Sequence, residues 1–490
     1  MNKIFEALLQ HSQSRPNAIA FTDDQGSITY LNLIRRIYGL ASRLTDAPST
    51  IGIAISDNLN WVIADLAIAL SGRCMVPLPL FFSPMQLTHI VQDSQIELIL
   101  TTDKISENIK GLGLSILQVD KSKIDTPSAY FGGAERIIYT SGSTGTPKGV
   151  RLSDRQINHV VDALIDATKA TDQDSHLSIL PFSLLLEQIC SIYVPIVVGG
   201  KCHIAGDATH NALQGDPVPL AKVAWQIKPT TTVLVPQILD MWQQFMTASN
   251  DRAPSSLRFV AVGGAAIAEH ALILAEDVGI PVFQGYGLSE CASVVCLNRV
   301  GENRRGTVGK PLKGVDLKII DDEIIVESPT VMHGYKNQHI ANDQWHTGDL
   351  GYKNDDGTVV IIGRKDNQIT ISNSRNISPE TIEELIIAIP AIKAAALTTS
   401  RSNDLALVII PKTFNLATLS ALSQIELKDY FQAHLSKLPS YMHPNHVFLC
   451  PFEKAVSTGL LSPTGVVNRE KCRIFVQTGT AYQPEEQLSI

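Results

Sequence analysis

Apolar, β-branched runs alternate with helical patterns through the first three quarters of the chain, and this alternation restricts the fold more than any other feature. Ile51-Gly-Ile-Ala-Ile55, Ile96-Glu-Leu-Ile-Leu100, Thr232-Val-Leu-Val235 and Leu257-Arg-Phe-Val-Ala-Val262 read as buried strands. Residues 60–70 and 84–93 read as helices between them. Strands apolar on both faces and separated by helices belong in parallel sheets covered on both sides.

The pattern changes near residue 316. Shorter strands and turns follow: Leu317-Lys-Ile-Ile320, Glu323-Ile-Ile-Val-Glu327, His333-Gly-Tyr335 and Thr358-Val-Val-Ile-Ile362. A new series of short strands and helices begins after Gly363-Arg-Lys-Asp366. The expected fold class is α/β: a large N-terminal domain of parallel sheets with a β-barrel-like subdomain, then a small mobile α+β domain. The expected division is 1–365 and 366–490, with the hinge near Asp366. A chain of 490 residues is too long for one compact core.

Composition narrows the function classes. The apolar fraction is 44% and the charged fraction 18%, as in ordinary soluble α/β proteins. A formal charge of −8 argues against nucleic acid as a main partner. The seven cysteines are scattered, and only Cys291 and Cys296 lie close together, without metal-ligand spacing. Such a sparse, odd set reads as reduced thiols in a cytoplasmic protein. The N-terminal apolar stretch is broken by His11, Gln13, Ser14 and Arg15, so neither a signal peptide nor a transmembrane segment is expected.

Chemistry concentrates in a few places. Directly behind Arg136-Ile-Ile-Tyr139 comes Thr140-Ser-Gly-Ser-Thr-Gly-Thr-Pro-Lys-Gly149, with five Ser/Thr hydroxyls, three glycines and one lysine. Hydroxyls and open backbone N–H groups can surround a polyphosphate, and Lys148 can cancel part of its charge. Glycines let the backbone approach the anion. This is not a Walker loop. Counting from Gly142, Pro147 takes the place of the second glycine and Gly149 that of the magnesium-binding hydroxyl.

Farther on, Phe283-Gln-Gly-Tyr-Gly-Leu-Ser-Glu290 pairs a glycine loop with a flat ring, Tyr286, a hydroxyl, Ser289, and a hard oxygen ligand, Glu290, suited to magnesium on phosphates. Alone, Glu290 reads more readily as a solvated loop residue than as a metal ligand; its place downstream of the Ser/Gly/Thr run reverses that reading. Trp345-His-Thr-Gly-Asp349 sets a carboxylate at a glycine turn, where it can accept both hydroxyls of a ribose or simply form an Asx-type turn. Val262-Gly-Gly-Ala-Ala266 ends a strand with small residues.

Together and in this order, these motifs resemble the adenylate-forming (AMP-binding) superfamily: acyl-CoA synthetases, peptide-synthetase adenylation domains and luciferases. The resemblance covers nearly the whole chain. It implies an enzyme, an acid–thiol ligase, that joins a carboxylate to AMP with loss of pyrophosphate and passes the acyl group to a thiol. By resemblance, Lys148, Thr144 and Glu290 are the catalytic set, and Thr140, Ser141, Gly142, Ser143, Thr144, Lys148 and Ser289 bind phosphates. Glu290 holds the metal. Gly263, Gly264, Ala265, Gly285, Tyr286 and Gly287 wall the adenine and acyl pocket, with Tyr286 stacking on adenine. Asp349 and Arg364 bind ribose, and Asp366 is the hinge. The implied cofactors are ATP and Mg2+, with CoA or a phosphopantetheine thiol as acceptor.

Substrate class rests on Leu180-Pro-Phe-Ser-Leu-Leu-Leu-Glu-Gln188. It lacks the aspartate that peptide-synthetase domains use for an amino group. Its spacing resembles the Pro-Leu-x-His-x-x-Glu element of fatty acyl-CoA synthetases, with Leu184 replacing the histidine and Glu187 kept. A buried helix start reads residues 184–186 equally well. Ile371-Ser-Asn-Ser-Arg-Asn-Ile-Ser-Pro379 also resembles the long-chain version. The expected substrate is a small-molecule carboxylic acid, fatty or otherwise apolar.

Two departures bear on turnover. Leu461-Ser-Pro-Thr-Gly-Val-Val-Asn-Arg469 places Val466 where the superfamily carries a lysine that stabilises the carboxylate and α-phosphate. Asn373-Ser374 replaces two glycines that line the pantetheine tunnel of CoA-using members. The alternatives are therefore a ligase working with an acyl carrier protein or on one half-reaction only, and a non-catalytic nucleotide-binding subunit.

Overall fold

The computed structural model describes residues 2–102, 107–119, 134–140, 147–264, 267, 269–336, 343–370, 376–402, 404–412, 415–461 and 467–478. Two large sheets dominate it. In the first, Glu135–Thr140, Cys74–Pro77, Thr50–Ala54, Leu98–Thr101 and Ser115–Gln118 lie parallel in that order. Lys148–Ser153 and Gly334–Tyr335 extend it antiparallel beyond Glu135–Thr140. In the second, six parallel strands run from Val282–Tyr286 through Phe259–Val262, Thr231–Leu234, Ser175–Ser178 and Lys201–Ile204 to Ile19–Asp23. The α/β architecture expected from the alternating pattern is therefore present.

One core joins the sheets, containing Ile51, Ile53 and Leu100 of the first and Phe21, Cys202 and Phe283 of the second. Within it lies the helix Leu59–Leu70, all of whose residues are buried. Its sequence is apolar almost all round, as a helix between two layers requires. Asn58 caps its N-terminus by accepting the Asn60 N–H at 2.8 Å. Its polar residues are Asn60 and Asp65; Asp65 accepts the Tyr193 hydroxyl at 2.5 Å and lies 3.6 Å from Arg136. Arg136 also donates to Gln188 at 2.8 Å and to the Tyr193 hydroxyl. A buried arginine survives in such a place only when its donors are matched in this way.

A four-stranded antiparallel sheet follows: Asp316–Ile320, Glu323–Glu327, Gln344–Lys353 and Val359–Arg364. Beyond Asp366, Ile392–Thr399, Leu405–Pro411 and His446–Leu449 form a three-stranded sheet. The helices Pro379–Ile387 and Gln424–His434 share one core with it, and Arg469–Thr478 shares another. Asp366 itself sits in the 3-10 turn Lys365–Asn367. Among the described residues no helix is long and apolar enough to cross a membrane.

Candidate functional site

The Ser/Gly/Thr-rich motif is flanked by two paired strands. Glu135–Thr140 and Lys148–Ser153 are antiparallel, with Thr140 opposite Lys148. The strands close tightly because Gly149 lacks a side chain: a Cβ there would stand 2.7 Å from Ile137 and 2.9 Å from the Tyr139 ring. Ser141, Gly142, Ser143 and Thr144 lie outside the described residues, as do Ala265, Asn373, Ser374 and Val466.

Lys148 and Glu290 meet through a residue that sequence reasoning passed over. Gly334–Tyr335 pairs with Val150 and Arg151, which brings the Tyr335 ring beneath Lys148, with Nζ 5.6 Å from its centroid. The Tyr335 hydroxyl donates to Glu290 Oε1 at 2.9 Å. Glu290 sits in the 3-10 turn Ser289–Cys291, and its carbonyl accepts the Met332 N–H at 2.8 Å. The loop before it folds back so closely that a Cβ on Gly287 would lie 1.7 Å from the Ser293 carbonyl oxygen. In the sequence, His333-Gly-Tyr335 showed only a short strand. Its register against Val150 and Arg151 gives the tyrosine its place.

Asp349 is the most fully organised acid of the site. It faces Arg364 across paired strands, and Arg364 Nη1 donates to its Oδ1 at 2.9 Å. The Tyr286 hydroxyl donates to Oδ2 at 2.5 Å. The preceding Gly348 adopts φ +70°, turning the strand so that the buried carboxylate faces both partners. Burial raises the pKa of Asp349, against the lowering pull of Tyr286 and Arg364. The Tyr286 hydroxyl is pushed well above its ordinary range by burial and by Asp349. Tyr286, Asp349 and Arg364, chosen from three separate motifs, form one hydrogen-bonded unit.

Tyr286 also lines a cavity of about 340 Å3 that runs along the second sheet. Gly263, Gly264, Gly285, Gly287 and Ser289 share this end of it. The walls are mainly apolar, formed by residues such as Leu184, Cys190, Val233, Ala261 and Leu297. Leu184 precedes the short helix Leu185–Glu187 and lines the cavity with a 37% exposed side chain. Behind this wall Glu187 is fully buried; Ser178 and Ser191 each donate to its Oε1 at 2.6 Å. Burial raises its pKa to about 7.

Glu290 is the group that fits a magnesium ion. It is a hard oxygen donor, and the tyrosine that holds one of its oxygens, Tyr335, is the one whose ring lies under Lys148. Among the described residues no three His, Cys, Asp or Glu side chains gather to hold a metal by themselves. Magnesium commonly takes one or two protein carboxylates and completes its shell with phosphate and water.

A family model described as AMP-binding enzyme matches residues 8–336. A 2-succinylbenzoate–CoA ligase of Bacillus velezensis is 28% identical over 469 residues, covering 88% of this chain and 91% of its own. Among solved structures, an o-succinylbenzoate coenzyme A synthetase from Bacillus subtilis with ATP and a magnesium ion superposes with a TM-score of 0.80 at 22% identity, covering 95% and 98% of the two chains. An anthranilate CoA ligase in complex with anthranoyl-AMP gives 0.82 at 18%, covering 97% of each.

Proposed function

The chain belongs to the AMP-binding enzyme family, and from that premise we propose that it is an acid–CoA ligase. It would activate a mainly apolar carboxylic acid with ATP as an acyl adenylate, release pyrophosphate, and transfer the acyl group to the CoA thiol. The observation that carries this reading is the double position of Tyr286. Its hydroxyl holds Asp349, and the same residue lines the apolar cavity. A nucleotide held at Asp349 and an acid lying in the cavity would meet there.

In this reading Asp349 accepts the ribose hydroxyls while Arg364 and Tyr286 fix its orientation. Lys148, Thr140 and the hydroxyls of the phosphate loop draw charge from the triphosphate. Glu290 would hold magnesium, which when bound supplies neutralisation of the phosphate oxygens. The acid carboxylate is itself the nucleophile, so the chain contributes alignment and charge compensation. The relatives named above support CoA as acceptor, and their names carry an aromatic acid where the sequence motifs lean to a fatty one. The apolar lining supports the broader class of apolar acids. Asp366 would be the hinge between residues 1–365 and the smaller C-terminal part.

Acid-dependent exchange of pyrophosphate into ATP tests the proposal across saturated fatty acids, substituted benzoates and 2-succinylbenzoate. Exchange with at least one acid, followed by CoA-dependent thioester release, is the expected result; ATP binding without exchange for any acid would sink it. Val466→Lys sharpens the test. Restoring the usual charge is expected to speed adenylation by tenfold or more, given that one such group is worth about 3–4 kcal/mol. An unchanged rate would put residue 466 outside the reacting centre.

A further inference from the structure

One helix outside the site motifs, Pro84–Ser94, is bonded to both ends of the Ser/Gly/Thr run. Its own start is closed by a full capping box. Ser83 Oγ accepts the Gln86 N–H at 3.3 Å, and Gln86 Oε1 accepts the Ser83 N–H at 3.0 Å. Leu87, Ile90 and Val91 share a core with Val76, Ile99, Ile137 and Tyr139. The helix is thus seated by its apolar face against the strand Glu135–Thr140, which leads into the run.

His89 and Asp93 stand four residues apart, so one turn brings them to the same helix face. Asp93 Oδ2 accepts the Tyr139 hydroxyl at 2.6 Å, and Tyr139 immediately precedes Thr140. His89 Nε2 lies 3.0 Å from the Pro147 carbonyl, and Pro147 immediately precedes Lys148. A carbonyl only accepts, so Nε2 carries the proton and donates it. Gln95, which caps the helix, accepts Lys336 Nζ at 3.5 Å. The Lys336 N–H donates to the Gly149 carbonyl at 3.0 Å, next to Tyr335.

Resting on the ATP-binding part of the reading above, we propose that His89 and Asp93 are positioning residues for the triphosphate. They fix the two limbs of the run before ATP arrives. Thr140 and Lys148 already face each other in register, and residues 141–147 join them. A stretch containing Gly142 and Gly145 has much conformational freedom to lose when it grips an anion. Holding Tyr139 at the entrance and Pro147 at the exit removes part of that loss in advance. The helix needs neither bond for its own seating, which its apolar face and capping box supply. His89 and Asp93 act through Tyr139 and Pro147, not on the reacting atoms.

The experiment compares the wild type with His89→Leu, His89→Gln and Tyr139→Phe. Thr88→Ala is the control: its hydroxyl donates within the helix, to the Pro84 carbonyl at 2.9 Å. Three quantities are measured: ATP affinity by calorimetry with magnesium, KM for ATP and for the acid in pyrophosphate exchange, and thioester formation from preformed acyl adenylate and CoA. His89→Leu is expected to weaken ATP binding and raise KM for ATP about fivefold, the worth of one hydrogen bond. KM for the acid and the thioester step, which grips no triphosphate, should stay unchanged. His89→Gln, whose amide can reach the same carbonyl, should recover most of the loss. Tyr139→Phe should move KM for ATP in the same direction, and Thr88→Ala should leave every quantity intact.

An unchanged ATP affinity in His89→Leu overturns the assignment. So do equal losses in ATP binding, acid KM and the thioester step, which would make the contacts merely structural. If His89→Leu fails to fold, His89→Asn, too short to reach Pro147, takes its place in each comparison. ATP affinity is read without turnover. Binding that weakens in His89→Leu and returns in His89→Gln therefore supports the positioning role even where no acid gives exchange, a result that overturns the ligase reading alone. Failure of the wild type to bind ATP overturns both.

Discussion

The two ends of the cavity are organised by opposite means. At the Tyr286 end, which the proposed nucleotide site adjoins, polar groups are already committed to one another: Asp349 to Tyr286 and Arg364, Glu290 to Tyr335. Along the proposed acid end, mainly apolar side chains supply shape. A chemistry shared by many acids calls for fixed charges, which lose little when held in place before the ligand arrives. Discrimination between acids needs only volume and one or two polar contacts, which can vary without disturbing the fixed charges.

The comparison can be broken by substitution. Asp349→Ala is expected to have the largest effect, about a hundredfold loss in kcat/KM for ATP, since two hydrogen bonds to a charged group disappear. Acid binding measured by calorimetry should change little; an equal loss for acid would mean that the two ends are not separable. Ala261→Trp fills the cavity between its ends. It should depress activity on long acids by more than about tenfold and spare short ones, as a size-selective pocket requires. Uniform loss across chain lengths would show that the acid lies elsewhere.

Tyr335→Phe should be milder. Removing one neutral hydroxyl from Glu290 is expected to raise the magnesium concentration for half-maximal activity by a few-fold; an unchanged requirement would separate Glu290 from the metal. The smallest effect on turnover belongs to Glu187→Gln, where the measurable change is in stability. Burial raises Glu187 from 4.5 to about 7, so the folded state holds its proton more tightly than the unfolded one. The stabilisation is full below pH 4.5 and is lost as pH rises through 7. Melting temperatures from pH 4.5 to 8 should fall less steeply for the glutamine variant. Parallel curves would assign that decline to other groups.

How much was legible in the sequence differs between the same two ends. Strands Thr50–Ala54, Leu98–Thr101, Thr231–Leu234 and Phe259–Val262 fall within two residues of the runs that announced them, because doubly buried strands must be apolar throughout. The helices Leu59–Leu70 and Pro84–Ser94 were equally plain. Asp349, Arg364 and Tyr286 carried local glycine signatures, and they come together in space. Tyr335 had no such signature. It gains its position from strand register against Val150, and pairing between distant segments leaves no local mark.

The buried Arg136 has a bearing on how the two ends act together. It lies four residues before Thr140 and grips Tyr193 and Gln188, which belong to the helical segment continuing into the cavity wall at Val194. Asp65 braces the same cluster from the helix between the sheets. On the proposed reading, an acid that presses on that wall would push against an ionic strut anchored four residues before Thr140. Widening the cavity at Val194 is therefore expected to disturb ATP use as well as the fit of the acid.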